Sequence, residues 1–190
     1  MMRFHLILTL LFLSFFFFAN AGQSKIDYAH KSLKKEIEKT WNRDINDLIE
    51  IGVHAELPYQ GKFFKVPGTD NKIVYVGRVN SCRVGGCSID QDAYGPSEYF
   101  DYFIFYDEHA NIELVKIFNY AATHGHEVMA KGWLKQFRGF NHQKELEVGK
   151  NIDSISGATI SVHAITEDIS EKTKMLISYI NSSPVSTSNY

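Results

Sequence analysis

Two neighbouring runs of β-branched and aromatic residues lie in the middle of this chain of 190 residues. The first run covers residues 99–106, and the second covers residues 112–120. Five polar or small residues, 107–111, link them. A pair of such runs with a short polar linker is typical of a β-hairpin. The hairpin restricts the chain to fold classes that contain an antiparallel sheet.

Shorter runs of similar composition precede the hairpin, and Pro and Gly residues separate them. They cover 53–59, 62–66 and 73–79. These runs predict further short antiparallel strands. Apolar residues recur at helical spacing in three other segments, 24–51, 127–138 and 160–180. We therefore expect a single α+β domain in which helices flank a bent antiparallel sheet.

The segment 24–51 predicts one long amphipathic helix, and a helix broken near Asn42 is the alternative to a continuous one. Ser24 and Asp27 have the spacing of a capping box at its start. The chain end is rich in Ser, Thr and Asn and predicts disorder. The expected organisation, in chain order, is a signal peptide at 1–21, an N-terminal helix at 22–52, the main domain at 53–181 and a disordered tail at 182–190.

The first 21 residues have the order of a secretory signal peptide. Arg3 gives a positive start, an apolar run follows over 6–18, and small residues at 19 and 21 fit a cleavage site. The run is shorter than the roughly 20 residues that span a bilayer as a helix. We expect export to the periplasm or to the outer face of the cytoplasmic membrane, with a retained membrane anchor as the alternative.

The charge balance bears on the class of partner. The chain has 20 basic and 22 acidic residues, for a net charge of −2. A protein that neutralises the phosphates of a nucleic acid carries an excess of basic charge. We therefore expect no nucleic-acid partner.

Cys82 and Cys87 are the only cysteines in the sequence. Export would place them in an oxidising compartment, and the Gly85–Gly86 pair between them lets the backbone fold back. We expect a structural disulfide in a small loop, and a redox-active thiol pair is the alternative. The spacing matches neither a C-x-x-C redox motif nor a haem-attachment motif.

A cluster of small and hydroxyl residues at 153–161 precedes the last predicted helix. Ser156, Gly157 and Ala158 expose the backbone, and Thr159 stands where the helix begins. A hydroxyl there is close to unpaired N–H groups and to the positive end of the helix dipole, which suits a bound or attached phosphate. The alternative is that Thr159 or Ser156 only caps the helix.

The motif Asp153-x-x-Ser156-Gly157-Ala158-Thr159-x-Ser161 resembles the flavinylation motif of FMN-binding domains. Such domains occur in the NqrC and RnfG subunits of ion-pumping redox complexes and in other exported flavoproteins. In that family a flavin transferase moves FMN from FAD to the motif Thr and forms a phosphoester. The resemblance covers about residues 73–180 and implies that Thr159 carries FMN covalently, with the other motif residues around it.

A second stretch, 124–133, matches a part of the family where the chain passes close to the flavin ring. The resemblance offers His126, Glu127, Lys131 and Trp133 as contacts, with Trp133 stacking on the ring and Lys131 stabilising a reduced, anionic flavin. The sequence departs from the family here, because Val128 follows Glu127. Trp133 is equally compatible with a core position on one helix face with Met129 and Phe137.

His124 and His126 offer an alternative use of this stretch as metal ligands. No matching ligand pair occurs elsewhere in the sequence, so we expect no metal site. The resemblance as a whole implies an electron carrier whose partners are a flavin transferase and redox donor and acceptor proteins, including a membrane redox complex. No general acid or base stands out, which favours a carrier over a self-sufficient enzyme. The rival hypotheses are a non-redox binding module and a thiol redox protein.

Overall fold

The computed structural model describes residues 24–53, 60–83, 97–143 and 145–182, apart from the side chains of residues 82, 83 and 97. Several predictions fall outside these residues: the signal peptide, the bond between Cys82 and Cys87, most of the strand at 53–59, and the tail after 182. The described residues contain a five-stranded antiparallel sheet and three α-helices. The predicted α+β class is therefore confirmed.

The sheet is a meander in which the strands pair in chain order, β1-β2-β3-β4-β5. The strands are β1 Ile49–Ile51, β2 Gly61–Lys65, β3 Ile73–Arg83, β4 Ser97–Tyr106 and β5 Ile112–Tyr120. The predicted hairpin is β4 and β5, with Ile104 opposite Val115. Register shifts interrupt β3 against β4 and β4 against β5. Such bulges bend a strand and increase its twist.

Strand β4, which lies between β3 and β5, is buried on both faces of the sheet. Successive side chains of a strand point to opposite faces, so alternate residues enter two separate cores. Phe100, Tyr102, Ile104 and Tyr106 pack on one face, whereas Phe103 and Phe105 pack on the other. The continuous apolar composition of this run therefore reflects helices on both sides of the sheet.

Helix α3, Thr159–Ser182, covers the first face. Its apolar stripe is buried there through Val162, Ile165, Ile169 and Leu176, as the predicted periodicity requires. Polar contacts add to this packing, because Tyr106 and Thr173 hydrogen bond at 3.1 Å and Tyr102 donates to Asp168. We call the packing between α3 and the sheet the α3-side core.

Helix α1, Lys31–Trp41, covers the opposite face and forms the α1-side core through Leu33 and Ile37. A continuous helix over 24–51 is not present, but the break near Asn42 is, because α1 ends there. Helix α1 starts after His30, whose Nδ1 accepts a hydrogen bond from the Ser32 N–H, and it ends at Asn42 in the left-handed conformation. The expected capping box is therefore not the helix start.

The chain after Asn42 is not helical, because its backbone groups form hydrogen bonds in a 3₁₀ turn and then with β2. A 3₁₀ turn, Ile45–Asp47, begins at Asp44, and β1 then pairs Ile51 with Phe63 of β2. The apolar spacing continues through this region, with Ile45 buried in the α1-side core. Periodicity alone does not distinguish a continuing helix from a turn and a strand that bury the same residues.

The predicted helix at 127–138 is a series of short turns in the structure. A 3₁₀ turn, His126–Met129, is followed by α2, Lys131–Leu134, and by a second 3₁₀ turn, Lys135–Phe137. We call residues 131–138 the α2 segment. The expected shared face is present only in part, because Trp133 and Phe137 are buried whereas Met129 is 37% exposed.

A charged pair is buried at one end of the α1-side face. The Arg78 guanidinium donates twice to the Asp101 carboxylate, from Nε at 2.6 Å and from a terminal nitrogen at 3.0 Å. The Asn119 amide donates to the same carboxylate, and Arg78 also donates to the Ser24 carbonyl. Each charge is therefore paired and hydrogen bonded, as burial requires.

No helix within the described ranges is both long and apolar enough to cross a membrane.

Candidate functional site

The 153–161 motif forms a turn that leads directly into α3. The Ala158 N–H donates to the Ile155 carbonyl at 3.1 Å, and Gly157 has a φ of +81°. This left-handed conformation is one that side chains other than glycine adopt at a cost. A Cβ atom at Gly157 would meet nothing within 4 Å. The backbone conformation, and not a lack of space, therefore requires glycine here.

Thr159 is exposed at the first position of α3. The Val162 N–H makes the first helical hydrogen bond, to the Ala158 carbonyl at 2.9 Å. The three preceding N–H groups, of residues 159–161, thus have no acceptor within the helix. The first turn contains no acidic residue. The start of α3 is therefore electrostatically suited to an anionic group.

The helix-cap alternative can be compared with the contacts of the two hydroxyl side chains. Ser156 is also exposed, and neither Ser156 nor Thr159 makes a side-chain hydrogen bond within the described part of the chain. A capping residue accepts a hydrogen bond from an N–H of the first turn. The geometry thus leaves the Thr159 hydroxyl free to react or to bind.

The motif turn is attached to the α2 segment through the backbone of Asp153. The indole N–H of Trp133 donates to the Asp153 carbonyl at 2.8 Å. The Asp153 N–H donates to the side-chain oxygen of Gln136, also at 2.8 Å. The Asp153 carboxyl group itself is exposed. Two side chains one helical turn apart therefore hold the motif turn from one side.

Ser161 holds the motif from the other side. Its hydroxyl is buried and lies 3.1 Å from the Tyr120 hydroxyl, which in turn donates to the His124 carbonyl at 2.6 Å. Since Tyr120 has a single proton, Ser161 is the donor in the contact between the two hydroxyls. The first turn of α3 is thereby connected to the end of β5 and to the loop after it.

Gly125 allows the loop after β5 to approach α3 closely. Its φ is +83°, and a Cβ atom there would lie 2.7 Å from the Ser161 hydroxyl oxygen.

Nearby, the Thr123 hydroxyl donates to the buried carboxylate of Glu98. Burial is the main cause that raises the pKa of the Tyr120 hydroxyl above its usual range, and the carboxylates of Glu98 and Glu127 add to the effect. Tyr120 is therefore a neutral hydrogen-bonding group near neutral pH.

The structure separates the four residues that were predicted as ring contacts. His126 and Glu127 are exposed on the turn that follows Gly125, with 4.0 Å between the His126 ring and the Glu127 carboxylate. Trp133 is 9% exposed and meets Phe137 edge-on, with ring centroids 5.4 Å apart. The stacking interpretation of Trp133 is thus disfavoured, and its core interpretation is supported.

Lys131 lies away from the motif. It lines a groove beside Glu36 and Lys135, whereas Trp133, two residues later, reaches Asp153. Residues two apart on a helical turn point in nearly opposite directions, so the two side chains do not share one site. The prediction that Lys131 stabilises a reduced flavin on Thr159 therefore has no geometric support.

Among the described residues, no three His, Cys, Asp or Glu side chains come together as metal ligands.

Several residues of the site were not predicted from the sequence, namely Gln136, Tyr120, Gly125, Glu98 and Thr123. The sequence contains one signal for Gln136. It is a polar residue next to Phe137 and three positions after Trp133, which indicates a polar contact on the same side of a helical turn as Trp133. Gly125 gave another, because a glycine between two histidines indicates a special backbone position. Tyr120, Glu98 and Thr123 gave no local signal, since their roles depend on contacts across the fold.

The class that the fold and the site define is an α+β domain with an exposed, unpaired threonine hydroxyl at the start of its longest described helix. The chain matches no protein-family model, no curated protein and no solved structure.

Proposed function

We propose that this protein is an exported flavoprotein that carries FMN covalently on Thr159 and acts in extracytosolic electron transfer. The observation that carries the proposal is the state of Thr159. Its side chain is exposed and without a hydrogen bond in the described structure, at the start of a helix of 24 residues. The motif around it, Ser156-Gly157-Ala158-Thr159, is the one that resembles the flavinylation motif.

The attachment step has a balanced chemistry. A flavin transferase would supply FAD, and the Thr159 oxygen would attack the phosphorus atom on the flavin side of the pyrophosphate. The new O–P bond joins FMN to the protein, the pyrophosphate bond breaks, AMP leaves, and the hydroxyl proton passes to the transferase or to water. The free N–H groups at the start of α3 suit the negative phosphodiester that results.

The small residues of the motif fit a substrate of the transferase. Gly157 is exposed and has open space around it, and Ala158 is 2% exposed and packs into the α3-side core. The Thr159 hydroxyl is therefore accessible on a turn whose position is set by Trp133, Gln136 and Ser161. The residues of the chain would position the flavin, and the flavin would supply the electron chemistry when bound.

Two exposed apolar side chains lie on the elements that adjoin Thr159. Large apolar residues are exposed at three positions of the described chain, and two of them are Ile160 on α3 and Met129 on the 3₁₀ turn. The two elements approach each other where Gly125 meets Ser161. An aromatic ring tethered to Thr159 would cover apolar surface that is otherwise exposed to water. We therefore propose that the flavin ring covers Ile160 and extends toward the turn that carries Met129.

The test is co-expression of the protein with a flavin transferase, followed by denaturing gel fluorescence and intact mass measurement. The Thr159→Ala variant should lose all covalent flavin, because it lacks the attacking oxygen. The Ser156→Ala variant is the matched control. It changes a neighbouring exposed hydroxyl and should retain most of the loading.

Two results would contradict the proposal. One is an unmodified wild-type protein from a host in which a known flavinylated protein is loaded. The other is a Thr159→Ala variant that still carries a covalent flavin. Similar circular dichroism spectra of the three proteins would show that the fold is intact in each.

A further inference from the structure

A groove lies at the outer edge of β5, between α1 and the α2 segment. Its volume is about 350 Å³. Four apolar residues line the groove, the buried Phe105, Val115 and Leu134 and the half-buried Leu114, and we call this apolar lining its floor. Its walls carry charged residues, which are Glu36 and Lys39 on α1, Glu113 and Lys116 on β5, and Lys131, Lys135 and Arg138 on the α2 segment. We call it the β5 groove.

The two acidic residues of the β5 groove already have basic partners. Lys116 Nζ lies 2.9 Å from a Glu36 carboxylate oxygen, and Lys72 Nζ, from outside the groove, lies 3.0 Å from a Glu113 oxygen. The remaining cations are Lys39, Lys131, Lys135 and Arg138. These four side chains are exposed, and none forms an ion pair with a residue that the structure describes. The groove therefore has an uncompensated positive charge.

The cations converge from opposite walls. The hydrogen bond from Lys116 is the main cause that lowers the pKa of the Glu36 carboxyl group, and the charges of Lys116, Lys39 and Lys131 lower it further. Lys39 on α1 and Lys131 on the α2 segment thus both act on one carboxylate. Lys131, Lys135 and Arg138 all line the groove from the α2 segment.

We propose that the β5 groove binds a small organic anion with an apolar body, such as a medium-chain carboxylate. The apolar floor would receive the body, and the unpaired cations would pair with the anionic head. A cavity of this volume is within the range of small-molecule sites. Its concave shape and buried floor favour a small ligand over an acidic protein surface. The proposal is independent of flavin on Thr159, because the two sites lie on different sides of the α2 segment. Trp133 points to the motif turn, whereas Lys131 lines the groove.

Isothermal titration calorimetry with decanoate below its micelle concentration is the test. Decyltrimethylammonium, which has the same chain and the opposite charge, is the ligand control. We expect saturable binding of decanoate and no saturable binding of decyltrimethylammonium. The Lys131→Glu/Lys135→Glu variant should bind about tenfold more weakly or worse, because two attractive charges become repulsive. Lys39→Glu, on the opposite wall, should weaken binding in the same direction.

The matched control variant is Lys31→Glu/Lys35→Glu. It makes the same change in net charge at exposed positions of α1 that do not line the groove. Its affinity for decanoate should stay within about twofold of the wild type. The proposal is overturned if decanoate does not bind, if both ligands bind equally, or if the groove variants bind like the wild type. Binding of a polyglutamate peptide without binding of decanoate would also overturn it, in favour of an acidic protein partner.

Discussion

Each small residue of the motif turn has a separate physical role. Gly157 supplies a positive φ, and Ala158 fills a small space in the α3-side core. Thr159 presents a hydroxyl that no described residue engages. A substitution at Gly157 would act on the backbone, one at Ala158 on packing, and one at Thr159 on chemistry alone.

The proposed ring position leads to a prediction for Ile160. In the flavin-loaded protein, Ile160→Ser should leave covalent loading unchanged and should increase the quenching of flavin fluorescence by iodide, because the ring loses an apolar contact. Ile49→Ser is the control, since Ile49 is also exposed, at 55%, but lies on β1. Equal quenching in both variants would contradict the ring position without affecting attachment at Thr159.

Among the elements, the α2 segment contributes to both proposed sites. Its inner side holds the motif turn through Trp133 and Gln136, and its outer side carries the cations of the β5 groove. The end of β5 and the loop after it contact α3 from the other direction, through Tyr120 and Gly125. The start of α3 is therefore positioned by two short irregular elements, although α3 is itself a long regular helix.

A series of glycine substitutions separates backbone strain from close contact at this junction. Gly125→Ala should lower the free energy of unfolding by about 2–3 kcal/mol, since it adds a contact with Ser161 to an unfavourable φ. Gly139→Ala has a similar φ of +79° and open space, so we expect a loss of about 1 kcal/mol. Urea denaturation measures both values.

Gly132→Ala is the third member of the series. Gly132 lies in α2, and a Cβ atom there meets nothing within 4 Å. Alanine is the better helix former, so this variant should be as stable as the wild type or more stable by up to about 1 kcal/mol. If Gly125→Ala and Gly139→Ala lose the same free energy of unfolding, the contact of the added methyl group with Ser161 does not contribute to the loss.

For the whole molecule, the sheet separates two cores that different helices complete. The α3-side core is part of the site, because it includes Trp133 and Ala158. The α1-side core is closed by α1, which is also tied to the sheet by the ion pair between Glu36 and Lys116. The two side chains are 17% and 24% exposed, so water screens this pair only in part.

The Glu36–Lys116 pair predicts a dependence of stability on pH. The hydrogen bond from Lys116 lowers the pKa of the Glu36 carboxyl group in the folded state below its ordinary value of 4.5. The unfolded chain therefore binds the proton more readily. The stability from this pair should be present above pH 4.5 and lost as the pH falls below it, through the lowered pKa. We expect a loss of about 1 kcal/mol or less.

Urea denaturation at pH 7 and pH 3 measures this contribution. Glu36→Gln removes the titrating group, so its stability should fall less between the two pH values than that of the wild type. Glu38→Gln is the control, because Glu38 is exposed on the same helix and has no ion pair among the described residues. An identical fall in the wild type and Glu36→Gln would contradict the role of this pair.

Much of the fold follows from the sequence by itself. The paired β-rich runs determine the β4–β5 hairpin, and the apolar stripe after the motif determines α3, because both patterns are local and long. The same local information also marks Thr159 as the first residue of a helix. Composition excludes the excess of positive charge that a nucleic-acid partner requires.

Only the tertiary structure decides the rest. Residues 49–51 have helical spacing, yet pairing with β2 makes them a strand, since backbone hydrogen bonds across the sheet replace those of a helix. Trp133 and Lys131 are close in sequence, yet they point to different sides of one short helix. Tyr120 and Gln136 reach the motif from distant positions in the chain. Contacts of this kind depend on where whole elements pack, so no local pattern in the sequence contains them.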